Sequence, residues 1–95
     1  MAAAIEAATV GLSVVLIEPR PYPIDKACGE GLMPAAVDAL KRLGVEQPAG
    51  MPFVGIRIIA NGQSAEGNFR RGDGLGVRRT ELSRVLRDRA RSVGV

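Results

Sequence analysis

Ser13-Val14-Val15-Leu16-Ile17-Glu18 is a continuous β-branched and aliphatic run closed by an acid. Such a run suits a parallel strand covered on both faces. An acid at the C-terminal tip of that strand is what a dinucleotide-binding βαβ unit uses to grip a ribose diol. In that unit the acid follows a Gly-rich phosphate loop by about 20 residues, and counting back from Glu18 by that spacing overshoots Met1. The expectation is a nucleotide-binding unit read without its first strand and phosphate loop.

The residues before the strand fit a crossover helix. Met1 to Val10 is dominated by Ala, the best helix former. Gly11 stands where a helix C-cap is wanted, and Ala4, Ala8 and Gly11 would let the helix lie close on a sheet. A secretory signal competes for this apolar start. It fails for want of a basic leading region and because Glu6 and Glu18 interrupt the apolar character. The stretch is also too short and too broken to span a membrane.

Composition excludes several chemistries. At 95 residues the chain is expected to be one small domain, residues 1–95, with a core of marginal size. Cys28 is alone and there is no His. That argues against a disulfide framework and a zinc site, and it rules out a Ser-His or Cys-His nucleophile. Two Phe, one Tyr and no Trp leave little for base stacking. The net charge of +3 comes from Arg70 to Val95, where eight Arg stand against Asp73, Glu81 and Asp88. These cations interleave with Leu82, Val85, Leu86, Ala90 and Val93, so a solvated helix face is favoured over a nucleic-acid footprint.

The remaining elements follow from punctuation. Pro19 to Met33 reads as a loop, with Pro19, Pro21, Pro23, Gly29 and Gly31 breaking regular structure. A helix follows with Pro34 in its first turn, Val37, Leu40 and Leu43 inward, and Gly44 as its cap. Pro48 to Pro52 is a turn-rich connector. Phe53 to Ala60 and Ser64 to Arg70 are strands around the Asn61-Gly62 turn. After a bend at Gly72 to Gly76, Thr80 is placed to N-cap a last helix, with Glu81 in its first turn. The fold class is α/β with a hairpin excursion.

Two blocks carry a family resemblance. Glu18-Pro19-Arg20 with Asp25-Lys26-Ala27-Cys28-Gly29-Glu30-Gly31-Leu32 and Pro34 resembles FAD-dependent oxidoreductases of the geranylgeranyl reductase type, within the group that includes p-hydroxybenzoate hydroxylase-like flavin monooxygenases. Gly76-Val77-Arg78-Arg79-Thr80-Glu81-Leu82, running on to Gly94-Val95, is similar to the family's segment in which an Arg precedes a helix ending in Gly-Val. The resemblance spans nearly the whole chain and implies part of a Rossmann-like FAD-binding domain. Three departures stand beside it. The Gly-rich loop falls before Met1, the later Gly-Asp motif and substrate domain fall beyond Val95, and the residue after the acid is Pro19 where the family often has a base.

The resemblance also implies roles. Glu18 would accept from both adenosine ribose hydroxyls of FAD, the alternative being an acid that faces water. Cys28, Gly29 and Glu30 would lie along the cofactor toward its isoalloxazine side; the alternative is a loop that turns at glycine, with Cys28 a small buried hydrophobe. Arg79 would touch the cofactor, the alternative being an ordinary exposed charge near a helix start, and a register shift would put Arg78 there instead. Lys26 is balanced between a phosphate contact and plain solvation. NADPH or NADH would be the electron donor, a small molecule or lipid the substrate, and the cytoplasm the location. No residue pair qualifies as an acid–base catalyst. The chain alone is expected to bind FAD poorly. The other readings are a non-enzymatic binding module with a basic last helix, or an inactive remnant.

Overall fold

The computed structural model describes all of residues 1–95. Three helices, α1 (Ala2–Thr9), α2 (Pro34–Arg42) and α3 (Arg79–Ser92), alternate with five short strands, β1 (Gly31–Leu32), β2 (Met51–Phe53), β3 (Gly55–Ala60), β4 (Gln63–Asn68) and β5 (Gly74–Gly76). The architecture is a mixture of helices and antiparallel sheets. A three-stranded sheet runs β1-β5-β2, and β3-β4 form a separate hairpin.

All three helices close in the same way. The residue after the cap donates six-to-one: Leu12 N–H to the Ala7 carbonyl, Val45 to Leu40 and Val95 to Ala90, each at 3.0 Å. The residue before it is Gly11, Gly44 or Gly94, at φ +89°, +66° and +88°. This is the Schellman ending, and left-handed φ is what glycine adopts without a Cβ penalty. The first two glycines were legible as caps in the sequence.

The core is thin. Ile5 of α1, Val45 after α2, and Val85 and Ala90 of α3 form its buried cluster, with Leu40, Leu43, Leu82, Leu86, Val93 and Val95 packed against it. Only 11 of 95 residues are buried, so little apolar area holds the helices together. Arg89 adds a polar tie, donating Nε–H to the Leu43 carbonyl at 2.8 Å across the end of α2.

Several expectations are corrected. Ser13 to Glu18 forms no strand; Val15 and Ile17 are 85% and 87% exposed. A strand exists only by pairing, and this segment is hydrogen-bonded into neither sheet. The loop up to Met33 yields Gly31–Leu32 to pairing with Leu75 and Gly76. The connector yields Met51 and Pro52, and Phe53 belongs to β2. The bend yields Gly74–Gly76, which is the central strand of the sheet. Gly74 of that strand is held to glycine by the Phe53 ring, which a Cβ there would overlap. The expected hairpin is present, with Asn61 and Gly62 at φ +51° and +74°, the paired left-handed residues of a type I′ turn.

Candidate functional site

A cavity of about 460 Å³ lies between α3 and the irregular segment before β1. Leu16, Glu18, Arg20, Tyr22, Ile24 and Lys26 line one side; Arg79, Arg87, Ala90 and Arg91 of α3 line the other. Its volume falls in the range of small-molecule sites. The apolar lining comes from Met1, Leu16, Ile24, Ala90 and Val95, and the rest is charged or phenolic.

Glu18 is locked to its neighbour. Arg20 Nε–H and a guanidinium NH2 donate to its two oxygens at 2.6 and 2.7 Å, and the Arg20 backbone N–H adds a third bond at 3.2 Å. These bonds, side chain first and backbone second, pull the Glu18 carboxyl down to about 2. A carboxylate offers about four acceptor directions. Three are taken, so Glu18 can accept one ribose hydroxyl as it stands and a second only if Arg20 releases it.

Arg79 is the second expected residue on the cavity wall. It opens α3, a position where the helix dipole disfavours a cation, and it is in no ion pair. Its own backbone N–H donates to Glu30 Oε1 at 3.1 Å, while the Val77 N–H donates to the Glu30 carbonyl at 2.8 Å. Glu30 therefore caps α3 from 49 residues away, and Thr80 does not. An acid at a helix N-terminus satisfies an orphan N–H and the dipole together. Glu30 itself holds a left-handed φ of +51°.

Glu18 and Arg79 thus meet at one cavity, whereas Cys28, Gly29 and Glu30 do not line it. Cys28 is a free, exposed thiol, not a buried hydrophobe. A Cβ on Gly29 would meet no atom within 4 Å, so packing within the chain does not require glycine there. The sequence reading missed Tyr22, Arg87 and Arg91. The Arg87 guanidinium stacks 3.8 Å over the Tyr22 ring, and the Tyr22 hydroxyl is buried without a hydrogen-bond partner. The α3 arginines carried a signal in their spacing: Arg87 and Arg91 are one helical turn apart.

Comparison with known proteins places part of this chain. Over 44 residues it is 52% identical to menaquinone reductase of Mycolicibacterium smegmatis. The aligned stretch is 46% of this chain and spans about a tenth (11%) of that protein's length. No family model matches the chain, and no solved structure matches it. There is no cluster of His, Cys, Asp and Glu that could hold a metal ion, and no helix is long and apolar enough to cross a membrane.

Proposed function

We propose that this chain carries part of the FAD site of an oxidoreductase of the geranylgeranyl reductase and flavin monooxygenase group, within a Rossmann-like domain. The single observation that carries the reading is the meeting of Glu18 and Arg79 at one cavity, two residues selected far apart in the sequence. The 52% identity to a menaquinone reductase supports it and favours reductase over monooxygenase chemistry. A quinone-bearing lipid is then the substrate class to test first, with NADPH or NADH as donor.

The residues fit the adenosine diphosphate end of the cofactor. Glu18 accepts a ribose hydroxyl, and an acid there repels a 2′-phosphate. Arg79 meets the phosphates with a guanidinium free of any ion pair. Gly29, with open space where a Cβ would stand, lets a flat ligand approach the backbone toward the flavin end, beside Cys28 and Glu30. Glu30 also holds the start of α3, and so the Arg79 backbone, in place. A bound flavin would supply the hydride chemistry; the chain contributes binding, orientation and exclusion of water.

FAD carried per chain in the protein recovered from its source tests this. Glu18→Ala and Arg79→Ala are each expected to lower occupancy well below that of an exposed control, Arg42→Gln. Unchanged occupancy in both variants would overturn the reading.

A further inference from the structure

The β3-β4 hairpin is a sheet of its own, and five of the six residues of β3 and all six of β4 are exposed. Side chains alternate between the two faces of a strand, and residues directly opposite each other share a face. The register pairs Ile56 with Gly67, Ile58 with Ala65 and Ala60 with Gln63, which puts all six on one face. Arg57 with Glu66 and Ile59 with Ser64 fall on the other, where Arg57 and Glu66 form an ion pair at 2.7 Å. Charge is thus confined to one face and absent from its opposite.

The uncharged face is uneven. Ile56 and Ile58 raise a ridge along β3, while Gly67 and Ala65 leave a trough beside it along β4. A hollow of about 360 Å³ lies there, lined by these four residues with Phe69 and Glu66, the carboxylate of Glu66 being bonded to Arg57. A two-stranded hairpin is marginal unless its apolar face is covered, and facing layers fill best when large residues meet small ones. A two-fold axis running along the strands, midway between two facing hairpins, carries β3 of each copy over β4 of the other. It sets Ile58 over the mate's Ala65 and Ile56 over the mate's Gly67. The patch is therefore complementary to itself, which an isologous contact requires. Neither copy brings a charge to the centre of the contact, so no like charges meet there.

We infer that the ridge of Ile56 and Ile58 and the trough of Gly67 and Ala65 form a homodimer contact, in which a second copy of this chain covers the hairpin. Two strands of six residues offer a face of roughly 20 by 10 Å on each copy. That is well short of the ~800 Å² per partner of a stable complex. The dimer is accordingly a reversible one, half formed between about 10 μM and 1 mM. None of these residues lines the cavity that holds Glu18 and Arg79, so this contact and the flavin site are tested independently.

Sedimentation of the full chain from about 5 μM to about 2 mM tests the contact, with a concentration-dependent dimer expected. Gly67→Leu is the most telling variant. A Cβ at Gly67 meets no atom within 4 Å and its φ is not positive, so the single chain accepts a larger residue there. The added side chain fills the trough that the mate's Ile56 needs, and the dissociation constant should rise at least about tenfold. Ile58→Lys should do the same, while Ile59→Lys, on the charged face, should stay within about twofold. Dimerisation of Gly67→Leu equal to or tighter than wild type would mean unspecific apolar association and overturn the fit, as would an equal loss in Ile59→Lys. A chain that stays monomeric throughout would overturn the contact. If that monomer also bound the apolar dye ANS in a way that Gly67→Leu abolished, the hollow would be a ligand groove instead.

Discussion

Gly74→Ala tests how the central sheet is built. Gly74 lies opposite Phe53 in the β2-β5 register. A Cβ added to it would overlap Cζ, Cε1 and Cε2 of the Phe53 ring. That ring cannot slide freely, because it packs edge-on against Phe69 with centroids 5.4 Å apart. The φ of Gly74 is not positive, so the backbone itself tolerates alanine and the whole penalty comes from the overlap. Overpacking of this kind costs about 1–3 kcal/mol. A domain of this size holds roughly 5–14 kcal/mol, and with only 11 residues buried this one belongs near the lower bound. A loss of about 2 kcal/mol would lower Tm by roughly 8–16 °C. Thermal and urea unfolding followed by circular dichroism measure it. Phe53→Leu, which shortens the ring away, should relieve the second substitution, so that the double variant loses at least about 1 kcal/mol less than the sum of the singles. Wild-type stability in Gly74→Ala, or strict additivity in the double variant, would refute the packing account.

Other expectations follow from single contacts. Glu30→Ala removes the acceptor for the Arg79 N–H and should destabilise by about 1 kcal/mol, whereas Glu30→Gln keeps an oxygen there and should lose less; paired unfolding curves separate the two. Arg89→Ala removes the bond to the Leu43 carbonyl, and a loss of about 1 kcal/mol in urea unfolding is expected. The Glu18 carboxyl, lowered from 4.5 to about 2 by Arg20, contributes stability that is complete above pH 4.5 and fades as pH falls toward 2. A carbon-detected NMR titration should place its midpoint near 2, and Arg20→Gln should return it toward 4.5.

Local chemistry made much of this fold legible. Gly11 and Gly44 marked helix ends, Asn61-Gly62 marked the hairpin, and the 3.6-residue spacing of Leu82, Val85, Leu86, Ala90 and Val93 marked the buried face of α3. Long-range pairing was not legible. Gly74–Gly76 read as a bend because glycine disfavours strands, yet it pairs on both sides as the central strand, where Gly74 leaves room for the Phe53 ring. Ser13 to Glu18 read as a buried strand on composition alone, and without a ladder partner its apolar side chains stay exposed. In the same way Glu18 and Arg79 were selected from local motifs. The gathering of Tyr22, Arg87 and Arg91 beside them depends on how α3 meets a segment more than 50 residues away.

The most direct test of the flavin-site account is the absorption spectrum of the protein as recovered from its source, followed by mass identification of whatever is released on denaturation. The account predicts a yellow preparation that releases FAD and bleaches when NADPH or NADH is added without oxygen. A colourless preparation that releases no flavin would contradict it.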